Sequence, residues 1–203
     1  MLTVLTEPLV EPDVLRASED GVDCLVRVIE SRDVETGQHV ERMGVYCEAI
    51  AEAVGLDPVT SEAIGVAARL HDVGKIGIPD TVLRKDAPLT PAERAVIEEH
   101  CVVGHDILAG ARNEILQLAA EIALTHHEWF DGTGYPLGLQ GEEIPFAGRI
   151  AAIGDVFDAL TSDRPYRVAV PIDDARESML AERGSHFDPE LLDVFLELEL
   201  QAA

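Results

Sequence analysis

Histidines and carboxylates recur along this chain at spacings that suit a metal site. Two adjacent histidines open HHEWFDGTGYP at residues 126–136, and a histidine precedes an aspartate in HDVGK at 71–75. Glu35 and His39 are four residues apart, so on a helix both would project from one face. The candidate metal ligands are Glu35, His39, His71, Asp72, His100, His126, His127 and Asp155.

These donors point to hydrolytic metal chemistry. Imidazole and carboxylate without thiolate suit Fe, Mn or Zn in multi-metal sites. Asp155 interrupts a largely apolar stretch, and coordination to a metal would offset the cost of burying its charge. Asp72 could bridge two ions. A single internal histidine is more often an ordinary core residue than a ligand, and we interpret His105 and His186 in that way.

The turn after the histidine pair would bring a tyrosine close to the metals. Asp131, Gly132 and Gly134 favour a sharp turn after the helix, and Pro136 stiffens it. Tyr135 would then lie near the cluster. The alternative is a tyrosine that packs in an ordinary loop.

Helices are the elements that must position these side chains. Apolar residues recur at helical spacing from Val22 to Leu56, and no segment alternates convincingly with period two. The sequence predicts an all-α fold, a bundle of about seven helices with the metal cluster in its core. Residues 1–20 contain two Glu-Pro pairs and show no clear periodicity, so we predict an irregular arm there, followed by one domain at residues 21–203.

The composition limits the partners. The 203 residues carry 39 acids and 15 bases, which gives a formal net charge of −24. Such a surface repels nucleic acid and anionic membrane, so DNA or RNA binding is not expected. No apolar run reaches membrane-spanning length, so membrane insertion is not expected either. The N-terminus lacks the bases of a signal peptide, and three cysteines without a CxxC pair are interpreted as reduced core thiols. A cytoplasmic protein is therefore expected.

The motifs together resemble the HD-GYP family, the subgroup of HD phosphohydrolases that hydrolyse cyclic di-GMP. The resemblance covers about residues 22 to 200, and an ordered set of motifs is more specific than a lone His-Asp pair. The motifs are HDVGK at 71–75, HHEWFDGTGYP at 126–136, GLQGEEIP at 138–145, DVFDALTSDRPYR at 155–167 and HFDPELLDVF at 186–195.

The resemblance assigns a role to each matching residue. Glu35 matches an additional carboxylate found in members that hold three metals rather than two. Lys75 matches a lysine beside the scissile phosphate, Tyr135 matches the GYP tyrosine, and Arg164 and Arg167 match basic positions that meet the substrate phosphates. The family's metal ligands fall on His39, His71, Asp72, His100, His126, His127 and Asp155.

The function implied by the resemblance is hydrolysis of cyclic di-GMP to linear pGpG, with onward hydrolysis to GMP left open. Two or three divalent metal ions, with Fe or Mn favoured, would provide a bridging hydroxide that attacks phosphorus. Asp72 would bridge the metals and Lys75 would offset charge on the phosphoryl oxygens.

Two departures and two alternatives accompany this hypothesis. Cys101 stands where the family usually has proline, and Arg167 stands where it often has lysine, which changes the geometry of a phosphate contact. The first alternative is a non-hydrolytic cyclic di-GMP sensor that docks on a partner. The second is an HD phosphohydrolase that acts on another nucleotide. A homodimer, or a sensory or signalling partner protein, is left open.

Overall fold

The computed structural model describes residues 10–32, 37–163 and 168–198. In these ranges the regular structure is helical, with an isolated bridge between Arg183 and Phe187 and no β-strand, so the all-α prediction is confirmed. The helices are α1 (Pro12–Glu30), α2 (Gly37–Ala53), α3 (Pro58–Ala68), α4 (Asp80–Leu83), α5 (Pro91–Glu98), α6 (His100–Leu108), α7 (Glu114–Thr125), α8 (Phe146–Thr161), α9 (Ile172–Ala181) and α10 (Pro189–Glu197), with 3-10 helices at Val73–Gly77 and Gly141–Glu143. No helix in the described ranges combines the length and apolar character that a bilayer crossing requires.

An aliphatic core fixes the four helices that carry or directly precede most of the candidate site. α2 contacts α3 and α8, and α7 contacts the same two helices. Met43, Ile50, Ile64, Ile122 and Ile150 are fully or almost fully buried between them. Burial of each such side chain stabilises the fold by about 1.5–3 kcal/mol. The histidines are therefore attached to a well-packed frame.

The N-terminal region differs from the irregular arm that the sequence predicts. α1 begins at Pro12 and crosses residue 20 without a break, because proline is tolerated in a first helical turn. Leu15, Ser18 and Val22 are buried on one face of α1. Asn113 donates a hydrogen bond from Nδ2 to the Ser18 hydroxyl at 2.7 Å, which joins α1 to the start of α7. The prediction is wrong for residues 12–20, and residues 1–9 lie outside the described part of the chain.

The cysteines do not all lie in the core. Cys47 and Cys101 are buried, whereas Cys24 on α1 is exposed, so the expectation of three core thiols is wrong for Cys24. Burial raises the pKa of the Cys47 and Cys101 thiols, which keeps both protonated near neutral pH.

Candidate metal centre

The HD segment lies directly after α3 and presents a carboxylate to two histidines. Asp72 Oδ2 lies 3.1 Å from His71 Nε2, and Asp72 Oδ1 lies 3.2 Å from His100 Nε2. Lys75 Nζ lies 2.7 Å from Asp72 Oδ2. The two carboxylate oxygens therefore face different donors, which is the arrangement required of a group that bridges two cations.

Gly74 allows this segment to approach α6. A Cβ atom at residue 74 would lie 1.9 Å from the backbone oxygen of His100 and 2.4 Å from the backbone nitrogen of Gly104. No side chain tolerates such a contact with backbone, so only glycine fits. The close approach places Asp72 against His100.

His126 and His127 lie where α7 ends. His126 Nδ1 lies 3.1 Å from the backbone oxygen of Ile122, which orients the ring so that Nε2 faces the cluster. His126 Nε2 lies 3.4 Å from His100 Nε2 and 4.0 Å from Asp72 Oδ1. The ring of His127 lies 5.3 Å from that of His100, measured between centroids. The histidine pair thus faces α6 and the HD segment.

His39 and Asp155 complete the cluster from α2 and α8. His39 Nε2 lies 3.8 Å from Asp155 Oδ1. The rings of His39 and His71 lie 5.4 Å apart in an edge-to-face arrangement. His39 is buried, and Asp155 is only partly exposed.

Within the described ranges, two groups of three side chains have the geometry to hold metal ions. In each group one donor atom per residue lies within 4.8 Å of the others. His71 Nε2 and Asp72 Oδ1 are buried without a hydrogen bond of acceptable geometry, as expected of atoms that coordinate a metal instead. Imidazole and carboxylate donors suit Fe, Mn or Zn. The groups are His39, His71 and Asp72, and His100, His126 and His127.

The electrostatics of the cluster also fit coordination. Burial lowers the pKa of His127 to about 4 and that of His126 well below its usual value, so both are neutral, as a ligand must be. Burial disfavours protonated His71 as well, but the Asp72 carboxylate outweighs this and raises the pKa of His71 to about 9. Burial opposes the ionisation of Asp72, yet Lys75 and His71 hold its pKa well below the usual range. A metal ion would take the place of the His71 proton.

The GYP loop folds back onto the histidine pair. The backbone N–H of Tyr135 donates to the backbone oxygen of His127 at 3.1 Å, and the two rings lie 4.9 Å apart. A Cβ atom at Gly134 would lie 2.2 Å from the backbone nitrogen of Trp129, so this return requires glycine. Burial raises the pKa of the half-buried Tyr135 phenol, which therefore stays a hydrogen-bond donor. The expected position of Tyr135 beside the histidines is the one observed.

Sequence reasoning missed the residue that holds this loop. Glu128 is 2% exposed, and its carboxylate accepts hydrogen bonds from the backbone N–H groups of Leu137 at 2.6 Å and Leu139 at 3.0 Å. The position of Glu128 between two histidines and two aromatic residues was a signal that its side chain is buried. Its hydrogen-bond partners, however, belong to a loop, and local periodicity does not predict the conformation of a loop.

Asp158, on α8 one turn after Asp155, was also missed. It is 1% exposed and lies 2.7 Å from His39 Nδ1, measured to Oδ2. The three-residue spacing from Asp155 could have revealed Asp158, because helical residues three apart lie next to each other on one face.

Three of the predicted site residues lie outside the described part of the chain. Glu35 precedes α2, and Arg164 and Arg167 lie between α8 and α9. Their assignments, and the roles of the other site residues, stay predictions.

Residues 23–191 match the HD domain family. The chain is 46% identical over 178 residues to a cyclic di-GMP phosphodiesterase of Thermotoga maritima, an alignment that covers 88% of this chain and 48% of that protein. It is 43% identical over 185 residues to the 3'3'-cGAMP-specific phosphodiesterase 2 of Vibrio cholerae, covering 91% of this chain and 35% of that protein. The chain thus spans less than half the length of either relative.

A solved structure agrees with the fold. The HDG"Y"P protein Bd1817 from Bdellovibrio bacteriovorus superposes with a TM-score of 0.64 at 18% identity, covering 90% of this chain and 62% of that one. At this identity the likeness bears on the fold alone. With the family match, the relatives and the motifs in agreement, the chain belongs to the HD domain family, within its HD-GYP subgroup.

Proposed function

We propose that this chain is a metal-dependent phosphodiesterase that hydrolyses cyclic di-GMP to linear pGpG, with onward hydrolysis to GMP left open. The observation that carries the proposal is the position of Asp72, which faces His71 with one oxygen and His100 with the other. Each of these histidines belongs to a separate group of three potential ligands. A phosphodiester bound between the groups would meet two cationic centres.

The metal complement follows from the donors. Two groups support two divalent ions, and Glu35 would add a carboxylate for a third. Imidazole and carboxylate donors without thiolate suit Fe, Mn or Zn, and among these the resemblance to the HD-GYP family favours Fe or Mn. Bound divalent ions supply polarisation of the phosphoryl oxygens and increased acidity of a nearby water.

The chain's own residues would bind and orient the substrate. Lys75, whose ammonium lies 2.7 Å from Asp72 Oδ2, is placed to offset negative charge on phosphate at the cluster. Tyr135 would position the ligand from beside His127, and Arg164 and Arg167 would hold phosphate from the segment between α8 and α9. In a chain of net charge −24, these bases and the metals must reverse the local sign for a dianion to bind.

A second substrate is supported by a specific observation. The Vibrio cholerae relative at 43% identity is named a 3'3'-cGAMP-specific phosphodiesterase. That ligand shares with cyclic di-GMP a ring closed by two 3',5'-phosphodiester bonds and differs in one base. The metal cluster would act on the phosphate, which both ligands share. Residues that contact the differing base must therefore determine which of the two ligands is preferred.

The proposed cellular location and partners follow from the composition and the cysteines. The acidic surface argues against nucleic-acid partners, and the cysteines form no disulfide among the described residues. We propose a cytoplasmic enzyme that functions as a homodimer or with a sensory or signalling partner.

One experiment tests the proposal. The protein is purified anaerobically, its bound metals are counted by elemental analysis, and digests of cyclic di-GMP and 3'3'-cGAMP are separated by chromatography. Two or three Fe or Mn ions per chain with release of pGpG is the expected result. Fully metallated protein that binds cyclic di-GMP without turnover would instead identify a sensor, and faster cleavage of 3'3'-cGAMP would identify the second substrate.

A further inference from the structure

The histidines of the cluster are not all held in the same way. His71 Nδ1 lies 3.0 Å from the backbone oxygen of Ala68, and His100 Nδ1 lies 2.7 Å from that of Ile97. Both partners belong to the preceding helical turn. His39 Nδ1 instead lies 2.7 Å from a carboxylate oxygen of Asp158, on a different helix. The imidazole of His39 therefore has a charged partner.

Arg42 fixes that carboxylate in a buried position. Its Nε donates to Asp158 Oδ1 at 2.5 Å, and its Nη2 donates to Asp158 Oδ2 at 3.0 Å. The same Nη2 lies 2.8 Å from the hydroxyl of Ser162, just beyond the end of α8. A two-pronged arginine contact sets both the charge and the orientation of a carboxylate. The Asp158 side chain is 1% exposed and that of Arg42 is 14% exposed.

The contact defines the tautomer of neutral His39. An ionised carboxylate can only accept hydrogen bonds, so Nδ1 of His39 must carry the proton. Nε2 then keeps its lone pair, and it is the atom that faces Asp155. A carboxylate partner also makes an imidazole a stronger electron donor to a metal than a backbone carbonyl does.

We propose that Asp158 and Arg42 are positioning residues that set the metal affinity of the group formed by His39, His71 and Asp72, and leave the group formed by His100, His126 and His127 unaffected. The inference rests on the proposed metal function. It is selective because, in the described part of the chain, neither residue hydrogen-bonds or ion-pairs with the second group, whose His100 and His126 rings are oriented by backbone oxygens.

The test measures metal binding in the full chain without any turnover. Metal-free protein is titrated anaerobically with Mn²⁺, and with Co²⁺ followed by its visible absorption, and bound ions are counted by equilibrium dialysis. Asp158→Asn keeps the shape of the side chain but removes its charge. We expect one class of ion to bind about 10- to 100-fold more weakly, while the other class keeps its wild-type affinity.

A matched control separates this effect from a general loss of stability. Asp188 forms a comparable buried pair with Arg149, with 2.5 Å between Oδ2 and Nη1 and side chains 6% and 12% exposed. Asp188→Asn should lower the melting temperature and leave both metal affinities unchanged. Arg42→Gln should weaken the same class of ion as Asp158→Asn, and Arg42→Lys, which keeps a charge, should restore part of the affinity.

The outcomes distinguish two failures. Wild-type protein that binds no ion would reject the proposed metal centre itself. If wild-type protein binds its ions and Asp158→Asn binds both classes with unchanged affinity, only the inference is overturned. The same holds if Asp158→Asn weakens both classes equally, or if the Asp188→Asn control weakens binding as much as Asp158→Asn does. If Asp158→Asn does not fold, the Arg42 variants decide, and unchanged affinity in folded Arg42→Gln overturns the inference.

Discussion

The carboxylate of Glu128 accepts a hydrogen bond from the backbone N–H of Leu137 at 2.6 Å. This bond and the one from Leu139 tie the chain after the GYP turn to the histidine motif that precedes it. The position of Tyr135 beside His127 therefore depends on a buried acid that is not itself in the metal groups.

Glu128→Ala should loosen the loop without emptying the metal centre. Hydrogen bonds to a charged group contribute about 1.5–3 kcal/mol each, so the variant should unfold at lower urea concentration. Its kcat/KM for cyclic di-GMP should fall as Tyr135 loses its position, while the metal count stays at the wild-type value. Glu128→Gln, which keeps one acceptor oxygen, should lose less stability. Equal urea midpoints for wild type, Glu128→Ala and Glu128→Gln would contradict the role of Glu128.

Asp72→Ala should abolish both metal binding and hydrolysis while the helical circular dichroism persists. The carboxylate lies between His71, His100 and Lys75, so if it bridges two metal ions its removal would take a ligand from both. Turnover should drop below about a tenth of the wild-type rate, since in the proposed mechanism the metals would supply the reactive water. Asp106→Ala, at an exposed acid on α6, serves as the control and should leave activity intact. Retention of a tenth or more of the rate would show that Asp72 is not a bridge.

Glu35→Ala tests the nuclearity of the centre. If Glu35 holds a third ion, elemental analysis of the variant should show about one ion fewer per chain, with the other two retained. An unchanged count would make the centre dinuclear and leave Glu35 as an ordinary acid before α2.

Arg164→Ala should impair substrate binding and spare the cluster. Loss of one charge-assisted phosphate contact should cost roughly 1.5–3 kcal/mol, which is about ten- to more than a hundredfold in kcat/KM, mostly through a higher KM. Metal content and melting temperature should stay nearly unchanged. Arg183→Ala, at an arginine paired with Asp193 on the surface, is the charge-matched control. Equal losses on cyclic di-GMP and on bis-para-nitrophenyl phosphate would mean that Arg164 supports the metal site or the fold.

Gly74→Ala should displace the HD segment. Its methyl group would meet the backbone oxygen of His100 at 1.9 Å, so the backbone must shift, with a loss of about 1–3 kcal/mol or more and weaker metal binding. Gly21→Ala is the matched control, because a Cβ there meets nothing within 4 Å and alanine favours a helix interior by roughly 0.5–1 kcal/mol. Thermal unfolding of both variants should therefore shift in opposite directions; a Gly74→Ala protein as stable as wild type would refute the steric argument.

The sequence by itself determined the helical class and the chemistry of the donors. Apolar residues at helical spacing from Val22 to Leu56 predicted helices there, and α2 lies in that range, because one face of such a helix must be buried whatever it packs against. The histidine and acid motifs named the candidate ligands, since few residue types coordinate a divalent metal. The GYP turn was readable because glycine and proline restrict the backbone locally.

Tertiary structure decided which residues far apart in the chain contact each other. The roles of Asp158 and Glu128 depend on partners from another helix or loop, and no local pattern records which side chain a buried carboxylate will meet. The helical start at Pro12 was missed for a related reason: short-range signals there favour irregular chain, and burial of Leu15 and Val22 against the bundle outweighs them. Helix packing also decided which donors meet: contacts of α2 with α3 bring His39 to His71 and Asp72, and contacts of α6 with α7 bring His100 to His126 and His127.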